Sequence, residues 1–296
     1  MAAKLSRITS VSDPSGVGPL ASLGRTRFAG AASARSGRRL TSGQSWRPRH
    51  TRPKFRWAAA IEPSDWEIYR AAMTALRTAG VPFLLGGGFA LATFIGRWRD
   101  TKDIDFYIMP EARQAAIAAL TRAGFADYFD CRSYDRKWIY RSVRSNVIVD
   151  IIWSMANQRS RVNDLWFQRA GSVSIRGEKL ALIPKEEFIW CKLYILQRDH
   201  CDWTDIFNVF YATGRDLDWG HILRRLGEDR PLLRAALTVY GWLCPRRARE
   251  LPASLWKQLG LIRPRPPGKN RRNPIGLLDS RAWFAALLPQ GHKLDV

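Results

Sequence analysis

A chain of 296 residues allows about two domains, and an apolar content of 46% excludes wholesale disorder. Its 48 Lys and Arg against 26 Asp and Glu leave a formal charge of +22. That charge favours polyanionic partners such as nucleic acid, nucleotides or an anionic membrane surface, without bearing on fold.

The first 60 residues carry twelve basic residues against one acid, Asp13. Rich in Ser, Gly, Arg and Pro and without apolar periodicity, they read as a disordered basic arm (1–60). The composition suits an organellar transit peptide, a misassigned start or a nucleic-acid-binding tail. Order is expected from about residue 61. Ser64 followed by Glu67 forms a capping box, Trp66, Tyr69, Met73 and Leu76 recur at helical spacing, and Gly80 stops the helix. Residues 81–85 read as a short buried strand, broken by Gly86, Gly87 and Gly88 before an apolar helix at 89–95. A basic loop at 96–102 leads into 103–108, where period-two alternation predicts a strand with Asp103 and Asp105 on one face.

Pro110 opens a helix over 111–123 that Gly124 closes. Strands are expected at 137–141 and 146–152, then a hairpin over 173–183 turning at Arg176, Gly177 and Glu178. From Pro184 the pattern becomes helical, at 184–197, 203–212, 219–226 and 231–243. The fold class is therefore α+β: a core at 61–183 and an all-helical C-terminal domain at 184–260. A Pro- and Arg-rich linker with a short amphipathic end follows at 261–296. Cys131, Cys191, Cys201 and Cys244 form no C-x-x-C pair and read as small core residues in a reducing compartment, which suits a cytoplasmic protein. No stretch is apolar and long enough for a membrane span.

The chemistry-bearing segment runs from Gly86 to Asp105. Glycines at a helix start let backbone approach a ligand and leave N–H groups free for phosphate oxygens. Two carboxylates at i and i+2 of a strand share a face and, as hard oxygen donors, suit magnesium. A third acid on a neighbouring strand would complete a two-ion site for phosphoryl transfer. Asp150, set in an apolar strand where an unpaired charge is costly, is favoured over Asp127, Asp130 and Asp135.

Gly87-Gly88-Phe89-Ala90-Leu91 followed by Arg99, Thr101, Asp103 and Asp105 resembles the polymerase-beta-type nucleotidyltransferase superfamily, and within it the bacterial AbiEii-like and minimal nucleotidyltransferase branches. The resemblance implies a mixed sheet with flanking helices, metal binding by Asp103 and Asp105, and a ligand or base role for Asp150. It further maps nucleotide binding onto Gly86, Gly87, Gly88, Arg99, Thr101, Lys192, Arg198 and Asp202. Lys192 would act as a mobile cation on the triphosphate, while Asp202 and Asp205 would either hold Lys192 or cap the next helix. The motifs span about residues 81–206, and the first turn carries Gly where the superfamily's polymerases keep Ser.

The expected reaction is transfer of a nucleoside monophosphate from an NTP to an acceptor hydroxyl with two magnesium ions. An RNA end such as that of a tRNA is preferred to an aminoglycoside as acceptor, because the folded part is itself net basic. Toxin-like activity follows from the AbiEii resemblance. The alternatives are a non-catalytic nucleic-acid-binding protein that keeps this fold and a module for a partner protein. Arg97 and Arg99 read as either triphosphate contacts or a solvated loop. Trp66, Trp190, Trp203 and Trp242 read as core, whereas Trp98 is the tryptophan expected to stack on a base.

Overall fold

A computed structural model describes residues 56–99 and 101–265, together with Gly268, Pro274 and Phe284. Most of the basic arm and of the 261–296 segment therefore lies outside the described residues. Residues 56–60, expected to belong to the arm, are among those described. A 3-10 turn at Arg56–Ala60 buries Trp57 and Ala58, and Arg176 fastens it by donating from Nε to Ala58 O at 3.0 Å and from Nη2 to Ile61 O. Trp57 stacks on Trp98, with centroids 5.4 Å apart. Burying these rings ties the 56–60 turn to the core.

Helix α1, Pro63–Thr78, turns Trp66, Tyr69, Met73 and Leu76 inward at the expected spacing. The expected capping box does not form. Proline is pre-organised for the first helical position, so the helix starts at Pro63, Glu62 becomes the N-cap without a side-chain bond, and Ser64 already lies inside the first turn. The chain continues through β1 (Leu84–Leu85), α2 (Gly87–Ile95), β2 (Asp103–Tyr107), α3 (Arg113–Arg122) and β3 (Ala126–Asp127). A hairpin of β4 (Ile139–Arg144) and β5 (Val147–Ile152) follows, then α4 (Asp164–Gln168) and the hairpin of β6 (Gly171–Ile175) and β7 (Glu178–Leu182). Both tight turns are two-residue loops with positive φ at both positions, 49° and 65° at Ser145 and Asn146, 46° and 90° at Arg176 and Gly177. This backbone matches the twist of the strands it joins.

The seven strands form one mixed sheet in the order β3-β4-β5-β2-β1-β7-β6. β2 runs parallel to β5, and β1 parallel to β7; the other neighbours are antiparallel. Helices α5 (Lys185–Leu193), α6 (Trp203–Thr213), α7 (Trp219–Leu226), α8 (Arg230–Leu243), α9 (Pro245–Glu250) and α10 (Ala253–Gln258) form the helical region. α6 packs on α2 and on α5, which ties this region to the sheet beside the glycine turn. One buried cluster runs through both, from Trp57 to Leu259, and includes Phe284, which stacks on Tyr211 of α6. Three core assignments from sequence change. Cys131 and Cys201 are exposed, so only Cys191 and Cys244 are core thiols, and Trp242 is 39% exposed. Among the described residues no helix is long and apolar enough to cross a membrane.

Because Trp57 is 6% exposed and packs on Trp98 and Phe89, Trp57→Ala should cost about 3 kcal/mol in urea unfolding. A loss below about 0.5 kcal/mol, the scale of a surface substitution, would show that the 56–60 turn is not part of the cooperative unit.

Candidate active site

The sequence places Asp103 and Asp105 on one strand face, and the sheet adds the third acid. β2 and β5 pair in register, with Asp105 directly opposite Asp150. Across the other edge of β5, Asp150 stands opposite Arg141 of β4. One rung of the sheet thus carries Asp105, Asp150 and Arg141, with Asp103 two residues along β2. The competing acids are elsewhere: Asp127 pairs with Arg136 at 2.7 Å and accepts from Tyr134, while Asp130 and Asp135 lie exposed.

Asp150 is 1% exposed and its carboxylate is gripped by Arg141, with Nε to Oδ1 at 2.8 Å and Nη2 to Oδ2 at 2.6 Å. The same Nη2 lies 3.8 Å from Asp103 Oδ2. Arg141 is the site residue that sequence reading missed. An arginine in a half-exposed strand looks like surface, and the only available signal was that an apolar strand holding Asp150 needs a buried cation beside it. Burial raises the pKa of Asp150 against the pull of its Arg141 hydrogen bonds. Asp105 is pushed well above the usual carboxylate range, first by burial and then by the charges of Asp103 and Asp150, with Lys192 and Arg141 opposing.

Helix α2 begins above these acids. Gly86 is its N-cap without a side-chain bond, and its N–H donates to Asp105 O at 2.9 Å. Gly87 has φ of +48°, and a Cβ there would lie 1.5 Å from Asp105 Oδ2. A Cβ on Gly86 would strike the Tyr107 ring, and one on Gly88 would crowd Thr101. Gly87 is therefore required by the close approach of Asp105, and Gly86 by the Tyr107 ring. Thr101 Oγ1 donates to Asp103 Oδ1 at 2.5 Å and fixes that carboxylate. The N–H groups of the first turn of α2 have no partner within the helix, a geometry suited to an anion.

The far wall comes from α5 and α6. Lys192 Nζ lies 2.5 Å from Asp202 Oδ2 and 2.8 Å from Asp205 Oδ2. This answers the open choice about the D-x-x-D pair: the two acids hold Lys192, and Asp202, although at the N-cap of α6, makes no capping bond. Lys192, expected as a mobile cation, is here paired with both acids. Burial pulls its pKa down, but Asp205 and Asp202 outweigh this, so Lys192 stays charged. Arg99 reaches Asp205 Oδ1 at 3.3 Å, and His200 Nε2 lies 2.9 Å from Asp202 Oδ1.

These groups line one cleft of about 790 Å³, which includes Gly87, Gly88, Arg99, Thr101, Lys192 and Asp202 together with Asp103, Asp105, Asp150 and Arg141. Trp138, Met155 and Tyr194 add an aromatic and apolar side. Arg198 is not brought in. The Leu196–Cys201 bridge folds its loop back and leaves Arg198 exposed at the tip. Arg99, rather than Arg97, faces the cleft. Trp98 does not line it; one face of its ring is stacked on Trp57, and the ring is set edge-on to Phe89.

Among the described residues no three His, Cys, Asp or Glu side chains are already arranged around a common point for a metal ion. The donor chemistry nevertheless fits a hard divalent cation. Asp103 and Asp105 offer carboxylate oxygens side by side, and Asp105 is desolvated and repelled by its neighbours in a way that a cation relieves. Asp150 is less available, because both of its oxygens are bound to Arg141.

A family model described as uncharacterised nucleotidyltransferase matches residues 65–244. Similar solved structures include the antibiotic-resistance factor ANT(2'')-Ia, at 17% identity over 61% of this chain and 98% of that one, with a TM-score of 0.43. They also include the lincosamide antibiotic adenylyltransferase LnuA, at 17% identity over 50% and 96%, TM-score 0.37, and a tRNA-processing enzyme, at 14% identity over 68% and 58%, TM-score 0.31. A comparison with curated proteins found no match.

A carboxyl whose pKa is raised by folding stabilises at low pH, and that contribution is lost as pH climbs from the unfolded value through the folded one. Without divalent cations, wild type should therefore lose urea stability relative to Asp105→Asn as pH rises from about 5 to about 8. A constant difference across that range would refute the buried-charge account of Asp105. Gly87→Ala, whose Cβ would displace the Asp105 carboxylate, should cost at least about 1 kcal/mol of stability at a positive-φ site. Equal denaturation midpoints for the two proteins would count against that close approach.

Proposed function

The chain belongs to the nucleotidyltransferase family whose model spans residues 65–244, and on that footing we propose that it transfers a nucleoside monophosphate from an NTP to the hydroxyl of an RNA end, with magnesium. The observation that carries this reading is the shared cleft. A helix N-terminus fit for phosphate, a face of carboxylates fit for a divalent cation and a clamped lysine all open into it.

In this reaction the acceptor oxygen forms a bond to the α-phosphorus, the bond from that phosphorus to the bridging oxygen breaks, and pyrophosphate leaves. The acceptor's proton passes to a carboxylate of the cleft or to water. Asp103 and Asp105 would hold magnesium, which supplies charge neutralisation and polarisation of phosphate oxygens when bound. Thr101 keeps Asp103 in position. The first turn of α2 binds phosphate oxygens through backbone N–H groups, and Lys192, fixed by Asp202 and Asp205, presents a charge whose position costs no reorganisation. Asp150 keeps one lone pair per oxygen beyond those used by Arg141 and can accept from the acceptor hydroxyl.

The charge pattern favours an RNA end over a polycationic antibiotic. Asp150 is paired with Arg141, and Asp202 with Lys192 and His200. Asp103 lies within ion-pair distance of Arg141, so among the described residues Asp105 is the lining carboxylate without an ion pair. Trp138, Met155 and Tyr194 give a wall on which a terminal base can rest. Growth arrest on expression belongs to the same reading.

The test incubates the protein with magnesium, total RNA and each α-labelled NTP in turn. Label should enter RNA, and Asp103→Asn should reduce incorporation at least about 100-fold while the far-ultraviolet spectrum is kept. Undiminished incorporation by that variant would remove Asp103 from the chemistry, and RNA retention with no dependence on metal or nucleotide would favour a binding protein.

A further inference from the structure

Arg141 sits where the chemistry of a two-ion site would want a cation. A second divalent ion in such a site is shared by neighbouring carboxylates and lies about 4 Å from the first. Here one guanidinium nitrogen is 2.6 Å from Asp150 Oδ2 and 3.8 Å from Asp103 Oδ2, so it already bridges the two acids that a second ion would share. Building on the proposed nucleotidyl transfer, we propose that the site takes a single divalent cation, held by Asp103 and Asp105, and that the Arg141 guanidinium permanently fills the place of the second, with Asp150 as its anchor rather than a metal ligand.

Three observations carry this. First, the pair is a two-bond, charge-assisted fork between register partners on adjacent strands, both parts held by the sheet rather than by a mobile loop. Second, moving Arg141 away would strand a charge that is 1% exposed between the fully buried Val149 and Ile151, a cost that the interior does not forgive. Arginine also cannot shed its proton to make room, so the position is cationic at every working pH. Third, before nucleotide is bound, the protein charges balance around one ion. Three carboxylates and one guanidinium leave two negative charges, which one divalent cation neutralises. Lys192 does not enter this count, because Asp202 and Asp205 already pair with it. A second ion would add two positive charges next to a fixed guanidinium. Arg141 is on this view a positioning residue that sets the number of ions.

The experiment counts Mn²⁺, as a spectroscopic substitute for magnesium, on the full chain saturated with an α,β-methylene NTP that cannot be cleaved. Wild type should bind one Mn²⁺ per chain and show the electron paramagnetic spectrum of an isolated ion. Arg141→Lys, which keeps a cation beside Asp150, should also bind one. Arg141→Met should bind two, with the spin-coupled spectrum of ions a few ångströms apart. Two coupled ions in wild type, or one ion in a folded Arg141→Met, would overturn the proposal; if Arg141→Met does not fold, the wild-type and Arg141→Lys counts decide. Binding of no Mn²⁺ by wild type with any nucleotide overturns the parent reading as well, so the two failures are distinguishable.

Discussion

The site depends on one rung of the sheet. Parallel pairing of β2 with β5 sets Asp105 against Asp150, and antiparallel pairing of β5 with β4 sets Asp150 against Arg141. Strand register has a period of two, so a slip of one residue on any of the three strands would turn its polar side chain to the opposite face. The apolar neighbours prevent that slip. Ile104, Phe106, Val149 and Ile151 are all buried on the other face, and moving them into the cleft would forfeit a large part of the core. Hydrophobic burial on one face thereby holds a costly cluster of like charges on the other.

The second support comes from the helical region. α6 packs on α2 and on α5, so the helix that starts at the glycine turn and the helix that carries Lys192 are fixed to a common neighbour. Lys192, Asp202 and Asp205 are all nearly buried, and as an ion triad they stabilise little by themselves. Their value is geometric: a buried lysine between two carboxylates has one position. The cleft between sheet and helices is therefore built from elements that do not need to rearrange to present their charges.

Some features were written locally and could be read directly. The period-two pattern gave β2 and the shared face of Asp103 and Asp105, and the helical spacing of Trp66, Tyr69, Met73 and Leu76 gave α1. The Arg176-Gly177 turn gave the second hairpin. The features that escaped are short or depend on distant partners. β3 has two residues and α4 five, too few for a period to show. The turn at Arg56–Ala60 is ordered by Trp98 and Arg176, which lie far along the chain. Trp98 illustrates the difficulty: two flanking arginines suggested a base-stacking ring, yet Trp57, more than forty residues upstream, stacks on one of its faces.

By itself the sequence determined which chemistry was available: a glycine turn at a helix start, two aspartates on one strand face, a third acid in an apolar strand and a lysine followed by two more acids. Those are statements about residues a few positions apart, where backbone geometry alone fixes the relation. Only the tertiary structure decided what each charge faces. It placed Arg141 on Asp150, closed Asp202 and Asp205 around Lys192, left Arg198 outside, and stacked Trp57 on Trp98. A charge in a protein is defined by its partner and its distance from water, and both are set by strand pairing and helix packing between segments tens of residues apart. The overall charge of +22 pointed to a polyanion, whereas within the cleft Arg141 and Lys192 are each already paired with carboxylates.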